Sequence, residues 1–168
     1  MDRRQLALSL VVAVLLVLLA VLLLQPTLLM GSPGEYGTAT VTAVDADGTE
    51  LATVDVRIAN TSSQRYVGLS KTSDLPEGSG MLFVFDDEDT YTFVMRNMSF
   101  ALDMLFVDAN GTVTTIHHAP VPEATPEKDL RGYPGEGKYV LEVNRGWSNR
   151  TGVDVGDRIA IPAWVSAG

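Results

Sequence analysis

Hydrophobic positions divide the chain into one long unbroken run and a series of short alternating ones. The run is Leu6–Leu24, nineteen residues without a charge and with Ser9 as the only polar side chain. At about 1.5 Å per residue, a helix of that length crosses a hydrocarbon core of roughly 30 Å, which predicts a single N-terminal transmembrane helix. Beyond it the period changes to two. Thr38–Val44 alternates, Asp45–Gly48 is a turn, and Leu51–Ile58 alternates again with Val54, Val56 and Ile58 on one face, which predicts a first hairpin. Thr61 and Gln64 have capping-box spacing and Gly68 can end a helix, so one or two helical turns are expected over Ser62–Val67.

After a turn at Leu75–Gly78 comes the stretch around which the domain is organised. Gly80–Phe85, the acidic turn Asp86–Asp89, Thr90–Asn97 and Leu102–Asp108 read as three antiparallel strands in succession, followed by the turn Ala109–Gly111. Thr112–His118 pairs back across that turn. Ala119–Gly137 holds four prolines and three glycines and reads as a long surface loop of the kind that often carries function. Lys138–Asn144 and Arg158–Val165 supply the last strands. Eight or so short strands with one or two short helices predict a mainly β domain, a compact antiparallel barrel-like or sandwich fold.

The organisation expected is a cytoplasmic stub over residues 1–5, the membrane anchor over 6–24, a Pro/Gly-bearing tether over 25–37 and the β domain over 38–168. Arg3 and Arg4 precede the apolar run and no basic residue follows until Arg57, so the positive-inside rule places the N-terminus in the cytoplasm and the domain outside the cell membrane. A cleaved signal peptide is the rival reading. The run is long for one, and no Ala-x-Ala site follows it.

Charge narrows the partners. The formal net charge is −9; Asp2, Arg3 and Arg4 contribute +1 of it, leaving −10 beyond the anchor, a balance that argues against nucleic acid and suits a halophilic setting. With no cysteine, disulfides, thiolate metal sites and thiol catalysis are excluded.

Gly68-Leu69, Leu75-Pro76, Gly80–Phe85, Phe93–Asn97, Leu102-Asp103, Phe106–Asp108, Gly111, Tyr139–Asn144, Gly146, Gly152 and Gly156-Asp157 together resemble the DUF192 family, also called UPF0127, over about Val54 to Ile161. The resemblance implies a compact, mostly β protein, often exported or membrane-anchored, and implies no particular activity. This chain departs from the family pattern at Ser70, Phe93, Arg96, Met98 and Ala101.

Polar residues set in apolar strands mark the candidate site: Arg65, Arg96, Asn97, Asp103, Glu142 and Asn144. Burying a charge without a partner is costly, so these either satisfy one another, with Arg65 or Arg96 forked onto Asp103 or Glu142, or line a pocket that fixes a small polar ligand. A non-catalytic module binding such a ligand, or an envelope protein, is the leading reading. Asp103 and Glu142 would alternatively serve a carbohydrate-directed hydrolase if they faced each other. A copper-binding protein is a third reading, with Met95, Met98 and His117 as soft ligands; His117 and His118 point to opposite faces if their segment is a strand. No motif requires a cofactor. Asn110 and Asn149 are the glycosylation candidates, each expected in a turn, while Asn97 is expected to be enclosed.

Overall fold

The computed structural model describes residues 35–123 and 126–166, so the anchor expected at Leu6–Leu24 lies outside the described residues. Among the described residues, no helix is long and apolar enough to cross a membrane.

Seven strands, β1 (Gly37–Val44), β2 (Glu50–Ala59), β3 (Ser79–Val94), β4 (Leu102–Val107), β5 (Val113–Ala119), β6 (Gly132–Asn144) and β7 (Arg158–Ala160), form one sheet in the order β5-β4-β6-β3-β2-β1-β7. Strands β1 (Gly37–Val44) and β2 (Glu50–Ala59) make the expected hairpin. Helix α1 (Ser62–Val67) follows, and its capping box forms as the spacing implies: the Thr61 hydroxyl accepts from the Gln64 amide while the Gln64 side chain reaches back to the Thr61 amide. α1 is a crossover. The chain returns as β3 (Ser79–Val94) parallel to β2, Asp55 opposite Ser79 and Ala59 opposite Phe83, so the sheet is mixed and not wholly antiparallel.

β3 also corrects the expected hairpin at Asp86–Asp89. Gly80–Phe85 and Thr90–Val94 are halves of one strand, and the acidic residues occupy an irregularity where the register with β6 shifts between Val84 and Asp89. The reason lies in the partner. β6 runs from Gly132 to Asn144, so the last part of the presumed loop Ala119–Gly137 is strand, paired with Asp89–Val94. Its glycines serve close approach: a Cβ on Gly135 would stand 2.4 Å from the Phe106 ring, and one on Gly137 2.6 Å from the Val107 carbonyl.

β4 (Leu102–Val107) and β5 (Val113–Ala119) form the next hairpin, and β4 pairs with β6 on its other side. After β6, helix α2 (Trp147–Thr151), absent from the sequence reading, leads to β7. That strand is shorter than expected, Arg158–Ala160, and gives way to helix α3 (Ala163–Ser166). The outer strands approach each other: Thr112 bridges Arg158, the Val113 amide donates to the Asp157 carbonyl at 2.8 Å and the Ile159 amide to the Gly111 carbonyl at 2.8 Å. The sheet thereby becomes barrel-like, which leaves fewer free edges.

Two apolar clusters lie on opposite faces. Leu82, Leu105, Leu141, Val143 and Trp147 belong to one; Met81, Phe83, Met104, Phe106 and Val140 belong to the other, together with Leu69 from the end of α1. Every residue of β4 is therefore buried, which accounts for its unbroken apolar run around Asp103.

Candidate functional site

The second cluster does not fill its space. Between the α1 segment Arg65–Ser70, the β3 aromatics and Met95–Met98 there is a cavity of about 260 Å³, and Glu142 is the one β6 residue that lines it. The irregularity in β3 shapes its wall. It turns Phe85 onto Tyr91, stacked with ring centroids 3.6 Å apart, and Phe93 meets Phe83 edge-on at 4.9 Å. The Tyr91 hydroxyl donates to the Asp87 carbonyl at 2.8 Å; burial first, and then the neighbouring Asp89 and Asp87, push its pKa above 10.0.

Glu142 is 5% exposed. In register it lies between Met81 on β3 and Met104 on β4, apolar side chains on both sides. Its carboxyl has no hydrogen bond or ion pair among the described residues, and because none of their fully buried side-chain polar atoms lacks a partner, its oxygens keep access to the cavity; burial pushes its pKa from 4.5 to about 8. At neutral pH it is a neutral acid that presents an O–H donor and a carbonyl acceptor to the cavity.

Both arginines stand in the same lining, but neither meets a buried acid as the sequence allowed. Arg65 donates through Nη1 to the carbonyls of Asn60 and Val84, each at 2.8 Å, and lies 4.9 Å over the Phe85 ring. Arg96 lies 3.8 Å over the Tyr66 ring, donates to the Tyr66 carbonyl and pairs with Glu127 at 3.1 Å. Each guanidinium has five N–H groups, and in both some remain uncommitted among the described residues. Asn97, with φ 54°, is exposed and contributes to an adjoining cavity with Glu127 and Leu130.

Asp103 and Asn144 belong elsewhere. Asp103 pairs with Val143 in register, one residue away from the Met104–Glu142 pair, so the two carboxyls project from opposite faces and no acid couple forms. Asp103 is fully buried and accepts from His118 Nδ1 at 2.7 Å and from the Ser148 amide and hydroxyl at 3.0 and 2.8 Å. Burial would raise its pKa, but these bonds and one from the Gly146 amide outweigh it and hold the carboxyl below 3.8. It fastens the start of α2 to the sheet. Asn144 donates to the Leu75 carbonyl at 2.7 Å and ties the loop before β3.

Met95 and Met98 do line the cavity, whereas His117 does not. His117 Nε2 donates to the Pro134 carbonyl at 2.7 Å and its ring meets Phe106 and Tyr133. His118 points to the other face, onto Asp103, as the alternation required. Among the described residues, no three His, Asp or Glu side chains cluster as metal ligands. Asn110 is exposed in its turn; Asn149 is exposed on α2, not in a turn; and Asn97 is exposed, not enclosed. The aromatic wall and Tyr66 went unnoticed in the sequence, where the only available sign was the spacing of Phe85, Tyr91 and Phe93 on either side of the acidic run.

The DUF192 family model, described as "Uncharacterized ACR", matches residues 42–161. Among solved structures, the chain is similar to a protein from Sinorhizobium meliloti 1021 described as a candidate transcription regulator, at 33% identity, with 74% of this chain and 94% of that one covered and a TM-score of 0.67. It is also similar to a protein of unknown function from Novosphingobium aromaticivorans DSM 12444, at 29% identity, 78% and 89% coverage and a TM-score of 0.66. No curated protein matches the chain.

Proposed function

We propose, from the premise that the chain belongs to the DUF192 family, that its β domain is a non-catalytic binding module for a small polar ligand. In this reading Leu6–Leu24 anchors it in the cell membrane with the domain outside. The observation that carries the reading is Glu142: a nearly fully buried residue whose carboxyl has no partner among the described residues and opens on a cavity with aromatic walls. An acid buried for stability alone is normally hydrogen-bonded within the protein, as Asp103 is. An orphan aimed into a cavity fits a partner that arrives from outside. Arg65 and Arg96 add positive charge to the same lining. The hydrolase reading lacks its acid couple and the copper reading lacks its histidine, so neither is carried further.

The anchor is supported by the uncharged run and by the arginines before it. An exported domain would also offer exposed Asn110 and Asn149 for glycosylation. The description of the Sinorhizobium relative is not carried over, because the −10 beyond the anchor opposes a nucleic-acid partner.

A thermal-shift screen tests the reading. The full chain in mild detergent and high salt is heated with sugars, cell-wall fragments, small organic acids and Cu(I). At least one organic compound should raise Tm, and Glu142→Leu should diminish the rise. A folded protein that responds to none of them would overturn the reading.

A further inference from the structure

The geometry points to the ligand's class: a small carboxylic acid with a flat apolar body and a hydroxyl or carbonyl at the end opposite its carboxylate. This deepens the binding reading above and rests on it.

Size comes first. A cavity of about 260 Å³ holds about nine waters at roughly 30 Å³ each, which corresponds to a compound of one ring rather than an oligosaccharide or a lipid. The walls set the body. Phe85 stacked on Tyr91, with Phe93 edge-on to Phe83 and Phe85, presents ring surface along one side, and Met95 faces the same space. Such a lining gains most from a flat apolar body.

The polar groups set the two ends. The charged side chains in the lining are Arg65 and Arg96, and the other titratable ones are Tyr66, Tyr91 and Glu142. Within the lining only the guanidiniums carry formal charge at neutral pH; Glu127 offsets Arg96, so Arg65 is the lining cation without an ion-pair partner among the described residues and favours an anion over an ammonium at its end of the cavity. Arg65 donates to the Val84 carbonyl, three residues along β3 from Met81, the register partner of Glu142, or about 10 Å along the strand at about 3.3 Å per residue, and Arg96 donates to the Tyr66 carbonyl beside Arg65, so the positive groups and the acid stand apart. A carboxylate at the arginines therefore leaves the ligand's far end to meet Glu142. There Met81 and Met104 flank the acid and offer it no hydrogen bond. A neutral carboxyl pairs well with a hydroxyl or carbonyl, and a far end without one would leave it unsatisfied.

Calorimetric titration of the full chain in mild detergent with four probes tests the inference: para-hydroxyphenylacetate, phenylacetate, para-cresol and tyramine. The first should bind. Removing its hydroxyl, as in phenylacetate, or its carboxylate, as in para-cresol, should each weaken binding about tenfold or more, and tyramine should not bind. In Glu142→Leu, which replaces an unpartnered buried acid by an apolar side chain of similar size, para-hydroxyphenylacetate and phenylacetate should bind equally. Tyramine binding as tightly as the acid, or an undiminished preference for the hydroxyl in Glu142→Leu, would overturn the class while leaving a binding site in place. Silence from all four probes would also overturn the class; the binding reading itself falls only if the wider thermal screen is silent too.

Discussion

Replacing Glu142 by glutamine keeps the shape of the side chain and removes its titration, and the consequence depends on pH. The carboxyl's pKa rises from 4.5 in the unfolded chain to about 8 in the fold. A raised pKa means that the folded state favours the protonated form. Its contribution to stability is fully present below pH 4.5, is lost as pH rises, and is gone above about 8. At about 1.4 kcal/mol per pH unit, the interval between the two values corresponds to about 5 kcal/mol, of which about 4 kcal/mol falls between about pH 5 and about pH 9. For a domain of this size that difference is roughly 15 °C in Tm. Urea unfolding of both proteins across that range is the assay. Other titrating groups are common to the two and cancel in the difference. Wild type should lose stability relative to Glu142→Gln by several kcal/mol toward high pH, with the two nearly level near pH 5 on this scale. Parallel curves would refute the argument, because they would show that Glu142 ionises in the fold as easily as in the unfolded chain.

Two further outcomes follow from the fold. Asp103→Ala leaves the Ser148 amide, the Ser148 hydroxyl and His118 without their acceptor, so urea unfolding at neutral pH should show a loss of about 2–4 kcal/mol. Because its carboxyl is held below 3.8, that contribution is present above 3.8 and is lost as pH falls through the folded value, so the gap between wild type and variant should narrow in acid. Gly135→Ala sets a Cβ 2.4 Å from the buried Phe106 ring and should cost about 1–3 kcal/mol or more in the same assay, whereas alanine at exposed Gly48 meets nothing within 4 Å and tests only the positive φ of 85°.

How much was legible depended on whether a feature was local. The capping box at Thr61 and Gln64, the first hairpin and the β4–β5 hairpin rest on neighbouring residues, and each formed where the spacing placed it. The acidic run Asp86–Asp89 has turn composition, but β6 pairs on both sides of it and makes one strand of two. Gly132–Gly137 has loop composition for a reason that lies across the sheet, in the space occupied by Phe106 and the Val107 backbone. Helix α2 is too short for a periodic signal and is held by a carboxylate far away in the chain. The candidate residues divided in the same way. Of the polar side chains singled out, Asp103, Glu142 and Asn144 stand in strands, whereas Arg65 lies on α1 and Arg96 and Asn97 follow β3; the sequence could not show that Asp103 and Asn144 have partners within the protein while the Glu142 carboxyl has none among the described residues. Register decided it, since one residue of offset between Asp103 and Glu142 sends them to opposite faces.

The most direct test of the account is carbon-13 NMR of the side-chain carboxyl of Glu142, assigned by comparison with Glu142→Gln and followed through a pH titration of the ligand-free protein. Its resonance should stay that of a protonated acid through neutral pH and move with a midpoint near 8. A midpoint near 4.5 would mean that Glu142 is an ordinary solvated carboxylate, and the case for a ligand that completes it would be lost.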